Sequence, residues 1–156
     1  MIGTRRIGVI SDTHGLLRPQ ALAALEGSEL IVHAGDLGDP SVLTGLEAIA
    51  PLRAVRGNVD SGGWARGLPE TSIVELDDVR LYVLHDLDRL DLDPRAAGFA
   101  VVISGHTHAP RIDERQGVLY LNPGSAGPRR FHQPISLARL EISGVRVRAR
   151  LIALEP

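Results

Sequence analysis

The chain has 156 residues, a formal net charge of −2, 3% aromatic residues and no cysteine. This length is typical of one domain, so we expect residues 1–156 to form a single domain, and the charge and scarce aromatic residues argue against an extended nucleic-acid-binding track. The absence of cysteine excludes disulfides and thiolate ligands, so any metal must be bound by oxygen and imidazole groups.

The first third of the chain alternates short apolar runs with helix-like segments. The apolar runs at residues 6–10, 29–32 and 52–55 are typical of buried strands. Between them, residues 19–26 and 40–50 each open with proline, which the first turn of a helix tolerates, and both are rich in alanine and leucine. This alternation of strands and helices predicts right-handed crossovers and a parallel sheet.

The rest of the chain has the patterns of strands and turns. We predict a hairpin around Asp77-Asp78, a short helix beginning near Pro94, and later strands joined by tight turns. The predicted strands cover residues 71–76, 79–84, 100–103, 111–115, 118–121, 135–142 and 145–154. Together the elements predict an α/β domain with a mixed or two-layered sheet. No apolar run approaches the roughly 18 residues of a membrane-spanning helix, so we expect a soluble, cytoplasmic protein without a membrane partner.

Seven side chains that can bind metal ions follow the ends of predicted strands. They are Asp12, His14, Asp36, Asn58, His85, His106 and His108. Ligands of open α/β sheets bind at the carboxyl ends of the strands, so residues far apart in the sequence can meet there. Gly35, Gly57 and Gly105 each directly precede a candidate ligand, where the lack of a side chain permits close backbone approach.

Each motif taken alone has another interpretation. The segment Asp12-Thr13-His14 is also typical of a turn or a helix cap, and His85 alone fits a buried core histidine. The metal site is favoured because the whole set occurs in one order at successive strand ends.

An ordered set of motifs spans nearly the whole chain and resembles the metallophosphoesterase (calcineurin-like) superfamily: Asp12-x-His14, Gly35-Asp36, Gly57-Asn58, His85 and Gly105-His106-Thr107-His108. The segment Asn122-Pro123-Gly124-Ser125 resembles the small bacterial and archaeal phosphodiesterase branch, to which the retromer scaffold subunit is related. The resemblance implies an α/β fold, a four-layer α-β-β-α sandwich of two mixed sheets flanked by helices. It also implies two divalent metal ions, with manganese first and iron, nickel or zinc also suited to these ligands.

The resemblance further implies which residues hold which ion. One ion corresponds to Asp12, His14, Asp36 and His108, and the other to Asp36, Asn58, His85 and His106, with Asp36 bridging. Two divalent ions and two carboxylates leave a local charge of about +2, which favours a hydroxide between the ions and an anionic substrate. The implied reaction is hydrolysis of a small phosphodiester by that hydroxide, with Asp36, Asn58 and His85 at the catalytic centre.

The residues that would act on the substrate are less clearly marked. Many relatives have a histidine after the asparagine as general acid, and here Val59 occupies that place, followed by Asp60, which needs a raised pKa to donate a proton near neutral pH. Arg129, Arg130 and His132 could contact a substrate phosphate, although an exposed basic turn explains them at least as well. Asp86 stands where relatives often have glycine, and its role is open.

The competing hypothesis is a non-catalytic, metal-binding scaffold of the same fold, as in the related retromer subunit. Loss of metal ligands would favour it, and none is lost here. We therefore expect a metal-dependent phosphodiesterase whose partner is a small phosphate-ester substrate. The apolar C-terminal strands offer an edge through which copies of the chain could pair as a homo-oligomer.

Overall fold

The computed structural model describes residues 3–130 and 132–154. In chain order its helices and strands are β1 (Arg5–Ile10), α1 (Pro19–Leu25), β2 (Leu30–His33), α2 (Pro40–Glu47), β3 (Leu52–Ala54), β4 (Thr71–Leu76), β5 (Val79–Leu84), β6 (Val101–Ile103), β7 (Arg111–Arg115), β8 (Val118–Asn122), β9 (Ser136–Ser143) and β10 (Arg146–Ala153). Short 3-10 helices lie at Gly63–Gly67 and Leu87–Arg89. That residues 1–156 form a single domain stays a prediction, and residues 1, 2, 131, 155 and 156 of that span lie outside the described residues.

The first sheet has the strand order β10-β9-β1-β2-β3 and contains the three parallel strands that the sequence predicts. The register sets Ile10 of β1 opposite His33 of β2, and His33 opposite Ala54 of β3. β9 and β10 extend the sheet beyond β1 as antiparallel strands. Because parallel strands end at the same edge, the loops after β1, β2 and β3 emerge side by side.

The second sheet has the strand order β4-β5-β6-β8-β7 and is also mixed. β5, β6 and β8 are parallel, and β4 and β7 flank them as antiparallel edge strands. The predicted hairpin around Asp77-Asp78 is confirmed as the connection between β4 and β5, with Asp77 at φ +54°. The carboxyl ends of β5 and β6 therefore present the loops that contain His85 and His106.

Residues 94–98 form a closed turn, and the helix predicted from Pro94 is wrong. The backbone N–H of Ala97 donates to the carbonyl of Asp93 at 2.9 Å, as in a first helical turn. The N–H of Phe99 then donates back to the carbonyl of Pro94 at 2.9 Å, with Gly98 between them at φ +82°. A residue in the left-handed region and a wide closing bond end the segment before a second helical turn forms.

The two sheets pack face to face around a buried apolar layer. Val9 of β1, Leu81 of β5 and Ile103 of β6 are fully buried in this layer. The two α-helices cover the outer face of the first sheet through buried residues such as Leu25 and Leu46. Burial of both faces explains the nearly continuous apolar character of the parallel strands.

The outer face of the second sheet is covered differently. Phe99 and the leucines of residues 87–92 pack on Tyr82 and Val102, so turns and a 3-10 helix form this layer. The predicted α/β sandwich of two mixed sheets is confirmed, and in the described residues both α-helices lie over the first sheet. None of the helices in residues 3–130 and 132–154 is long and apolar enough to cross a membrane.

Candidate metal centre

The loops that follow β1, β2 and β6 hold their predicted ligands in an unusual backbone conformation. Positive φ angles occur at Asp12 (+55°), His14 (+46°), Asp36 (+60°), His106 (+73°) and His108 (+64°). Non-glycine residues adopt this left-handed region at a cost of order 1 kcal/mol or more each, and such residues cluster at functional sites. The strain is balanced by contacts between the loops, including Asp12 N–H to Gly35 O at 3.0 Å.

The buried carboxylate of Asp12 lies at the centre of three imidazole rings. Its Oδ1 atom is 3.9 Å from His14 Nε2, 3.9 Å from His85 Nε2 and 3.5 Å from His108 Nε2. Asp36 Oδ2 is 3.2 Å from His85 Nε2 and 3.7 Å from His14 Nε2. Atoms bound to one ion at about 2.1 Å lie roughly 3.0 to 3.4 Å apart, so these separations are close to those of a coordination sphere.

Four atoms of these side chains are buried without a hydrogen-bond partner among the described residues: Asp12 Oδ1, His14 Nε2, His85 Nε2 and His108 Nδ1. Unpaired buried polar atoms are costly, and a cation among them would satisfy the carboxylate and imidazole lone pairs together. Two groups of potential ligands result, Asp12 with His14 and His108, and Asp12 with Asp36 and His85. Asp12 is common to both groups, and Asp36 Oδ2 lies within 4 Å of a histidine from each.

His106 lies beside these groups of acidic and histidine side chains, and Asn58 lies in a loop whose Val59 N–H donates to Asp36 Oδ1. Asn58 is exposed in the loop after β3 and lines a cavity together with His85. The His106 ring packs edge-on against His85, with ring centroids 5.2 Å apart, and its Nε2 is 3.9 Å from Asp86 Oδ2. The structure thus brings all seven predicted ligands to one edge of the sandwich, five of them in the two tight groups.

The carboxylates and imidazoles of the site have shifted pKa values. Burial raises the pKa of Asp12 to about 6. Burial acts in the same direction on Asp36, but the His85 imidazole, whose Nε2 lies 3.2 Å from Asp36 Oδ2, and the hydrogen bond from the Val59 N–H outweigh it and lower its pKa to about 2. Burial lowers the pKa of His108 to about 4, and the pKa of His85 is raised because the nearby Asp36 carboxylate and the hydrogen bond to Ala34 O outweigh its burial.

Comparison with known families shows where this site belongs. Residues 6–144 match the family described as the calcineurin-like phosphoesterase superfamily domain. The chain belongs to the calcineurin-like phosphoesterase superfamily. The matched region contains every candidate ligand from Asp12 to His108, so the divalent metal ions that the family implies are the expected cofactor of this centre.

Relatives of this calcineurin-like protein are named as phosphoesterases. A probable metallophosphoesterase of Methanothermobacter thermautotrophicus is 39% identical over 158 residues, which cover 94% of this chain and 91% of that protein. A phosphodiesterase of Methanocaldococcus jannaschii is 31% identical over 138 residues, which cover 76% of this chain and 82% of that protein. The protein is accordingly a phosphoesterase, a member of the hydrolase class.

Solved structures share the whole fold. An archaeal phosphodiesterase aligns with a TM-score of 0.77 at 26% identity, covering 94% of this chain and 99% of that one. Vps29 of Chaetomium thermophilum aligns with a TM-score of 0.79 at 19% identity, covering 97% of this chain and 100% of that one. The second likeness concerns the fold alone, whereas the first, together with the family match and the archaeal relatives, confirms the predicted small metallophosphoesterase branch.

Asp60, a predicted substrate-binding residue of this phosphoesterase, accepts hydrogen bonds from the protein backbone. Its carboxylate is buried and accepts the N–H groups of Asp36 (3.0 Å), Leu37 (3.2 Å), Gly38 (2.9 Å) and Gly57 (2.9 Å). Both oxygens are therefore engaged. The observed role of Asp60 is to tie the Asp36 loop to the Asn58 loop, and any contact with substrate stays a prediction.

Arg129 and His132 are exposed in the segment after β8, and no hydrogen bond joins either to another described residue. Their contact with a substrate phosphate also stays a prediction. Arg130, the third basic residue predicted in this segment, is the closer neighbour of the site. After burial, its charge is the second cause that lowers the pKa of His108, and it also contributes to the lowered pKa of His14.

The Asn-Pro-Gly-Ser segment, which in sequence only indicated the branch of the family, supports two ligand loops. Asn122 Nδ2 donates to Gly105 O and to Thr107 Oγ1, both at 3.0 Å, and so fixes the loop of His106 and His108. Ser125 Oγ donates to the carbonyl oxygen of Asp12 at 3.0 Å. These roles join residues far apart in the chain, and only the motif itself could have pointed to them.

Two buried hydrogen bonds determine the tautomer of His33, which lies beneath the site. Its Nδ1 accepts the Gly35 N–H at 3.1 Å, so Nε2 carries the proton and donates to Thr13 Oγ1 at 3.1 Å. Thr13 Oγ1 in turn donates to Leu37 O at 2.9 Å. Burial lowers the pKa of His33 to about 3, so this histidine is neutral and links the loops after β1 and β2.

Proposed function

We propose that this phosphoesterase is a metal-dependent phosphodiesterase that hydrolyses small phosphodiesters by attack of a hydroxide held between two divalent ions. The observation that carries the proposal is the convergence of unpaired buried ligand atoms, above all Asp12 Oδ1 amid three histidines. Family membership and the phosphodiesterase among the relatives support it. Manganese is the ion we propose, with iron, nickel or zinc as alternatives that the same ligands accept, and the cytoplasm is the proposed location.

Bound ions would supply the nucleophile, by lowering the pKa of a water molecule, and would neutralise the phosphoryl oxygens of the substrate. The residues that would hold them are Asp12, His14, Asp36 and His108 for one ion, and Asp36, Asn58, His85 and His106 for the other. Asp36 is proposed as the bridge, and the position of Asp12 in both tight groups makes it a second candidate for that role.

The chain prepares individual ligand atoms for this task. Asp12 Oδ2 accepts from Ser11 Oγ at 2.7 Å and from the His106 N–H at 3.1 Å, which leaves Oδ1 facing the histidines. His85 Nδ1 donates to Ala34 O at 2.7 Å, so the lone pair of Nε2 points toward Asp36. Orientation of a histidine through its other ring nitrogen is a general feature of metal-binding imidazoles.

Neither of the two residues that follow Asn58 supplies a preformed proton donor for the leaving group. Val59 is 48% exposed and carries no acid, and the carboxylate of Asp60 is fully engaged by backbone amides. We therefore propose that solvent protonates the leaving alcohol. Esters of acidic alcohols should react fastest, because their leaving groups need little protonation.

The proposal is tested by hydrolysis of a bis-aryl phosphate diester and the corresponding monoester. Metal-stripped protein should be inactive, and manganese should restore cleavage with the diester preferred. Asp36→Asn and His108→Ala should each lower kcat by at least about a hundredfold, since each removes a proposed ligand. Asp113→Asn makes the same chemical change as Asp36→Asn in a surface ion pair on β7 and should keep full activity.

A non-catalytic scaffold is the alternative, and the Vps29 structures of the same fold are compatible with it. The retained ligand set argues for catalysis. Binding of two equivalents of metal without hydrolysis of any tested ester, under manganese, iron, nickel and zinc alike, would contradict the catalytic proposal and favour the scaffold.

A further inference from the structure

A cavity of about 560 Å³ opens beside the metal centre, and Asn58 and His85 form part of its wall. Its volume lies within the range of small-molecule binding sites. A phosphoryl group at the metal centre would place one of its ester groups next to this cavity. The charged residues that line it are Arg56, Glu70, Asp86, Arg89 and Asp91.

The charges of this cavity do not favour a second anion. Arg56 is paired with Glu70 at 3.2 Å, so the remaining charges are those of Asp86, Asp91 and Arg89, which sum to −1. The phosphoryl group of a substrate would be attracted by the positive charge of the metal centre. A further phosphate in the cavity would be repelled by the net negative charge of the wall. Like charges a few ångströms apart near a protein surface reduce binding by about tenfold.

The same wall is well suited to hydroxyl groups. Carboxylates accept hydrogen bonds from alcohols, and guanidinium groups donate to them. Aromatic stacking surface is scarce, because Tyr82 is only 7% exposed, and a nucleobase therefore gains little there. The chemistry of the wall is that of a site for an uncharged polyhydroxyl compound.

We infer that this cavity binds the alcohol portion of the ester and selects uncharged, hydroxyl-rich alcohols, such as glycerol or a sugar, over alcohols that carry a second phosphate. The inference rests on the proposed phosphodiesterase function, because it names the substrate class of that site. It assigns Glu70, Asp86 and Asp91 as specificity-determining residues.

The test compares glycerophosphoglycerol with the same diester phosphorylated on one terminal hydroxyl, using the manganese-loaded full-length protein. We expect kcat/KM to be at least about tenfold higher for the unphosphorylated diester. The double variant Glu70→Gln/Asp91→Asn releases Arg56 and changes the net charge of the wall from −1 to +1, and it should bring the two values within about threefold of each other. The discrimination by the unmodified protein should also fall as ionic strength rises.

A matched control removes the same two charges elsewhere. Glu26 and Glu47 are exposed at the ends of α1 and α2, away from the cavity, so Glu26→Gln/Glu47→Gln should keep the tenfold preference. Equal kcat/KM values for the two diesters in the unmodified protein would overturn the inference, as would an equal effect of the control.

Calorimetric titration of both diesters into the metal-loaded protein separates this inference from the proposed function. If the unphosphorylated diester binds with a tenfold lower Kd but neither it nor a bis-aryl diester is cleaved, the catalytic proposal is contradicted and the selectivity of the cavity is supported. Cleavage of the bis-aryl diester together with equal Kd values would keep the phosphodiesterase and remove the inference about its substrate class.

Discussion

At the scale of single residues, the Asp60 carboxylate holds two ligand loops in place through four backbone N–H groups. Three of its bonds reach one oxygen, Oδ2, and the fourth joins Oδ1 to Gly38 at 2.9 Å. An amide cannot reproduce this arrangement, because only its oxygen accepts hydrogen bonds. The requirement for a carboxylate at this position is therefore structural before any role in catalysis is considered.

The substitution Asp60→Asn should lower the free energy of unfolding by about 2 kcal/mol, since the Gly38 N–H would lose its carboxylate acceptor and face an amide donor. Metal affinity should fall about tenfold, as expected when the support of a metal site is disturbed. Urea denaturation and metal titration measure the two effects. Asp113→Asn, in an ion pair with Arg115 at 3.0 Å on the protein surface, should cost less than about 1 kcal/mol and serves as the control. Equal effects of both variants would show that Asp60 has no special role.

At the scale of elements, the loop after β6 approaches the loop after β1 so closely that no side chain fits between them. A Cβ atom added at Gly105 would overlap Ser11 Oγ and lie 2.7 Å from Asp12 Oδ2. This contact joins the two sheets at the metal centre, because Asp12 belongs to the first sheet and Gly105 to the second. The glycine that the sequence placed before His106 is required for close approach, as predicted.

Gly105→Ala should accordingly destabilise the fold by about 1 to 3 kcal/mol, the usual cost of overpacking, and should displace Asp12 from the histidines. Thermal unfolding and manganese titration report the two consequences. Gly67→Ala is a suitable comparison, because an added Cβ there has nothing within 4 Å. If Gly105→Ala bound manganese as tightly as the Gly67 variant, the close approach would not matter to the site.

At the scale of the whole molecule, the ligands come from both sheets of the sandwich. Asp12 and Asp36 follow strands of the first sheet, and His85 and His108 follow strands of the second. The unfolded chain does not hold these residues together, so metal binding should stabilise the folded state. The metal centre is in this sense a link between the two halves of the sandwich.

Manganese at about a hundred times its Kd should stabilise the protein by about 2.7 kcal/mol, which raises Tm by roughly 5 to 10 °C for a chain of this size. The increase should shrink as the pH falls through about 6, because Asp12, whose pKa is raised to about 6 by burial, must lose its proton to bind the ion. Scanning calorimetry at pH 5, 6 and 7.5 with and without manganese measures this dependence. Asp36→Asn should show a much smaller increase at every pH, and a metal-induced increase that grows at low pH would contradict the assignment of Asp12.

Much of the fold and of the ligand set was predictable from the sequence. Parallel strands carry apolar runs because both of their faces are buried, and this pattern located β1, β2 and β3 within a few residues. The helix from Pro94 was wrong because a proline start and an apolar composition also suit a single closed turn. The local pattern does not contain the return bond from Phe99 that ends it.

The amino-acid sequence indicates which side chains can bind metal and in which order the strands present them, because ligand chemistry and strand ends are local properties. The folded chain is needed to show that Asp12 lies among three histidines, that Asp60 is held by backbone amides, and that a weakly acidic cavity adjoins Asn58. These features depend on distances between residues of different loops and different sheets. Such distances follow from the packing of the whole sandwich, which no local pattern specifies.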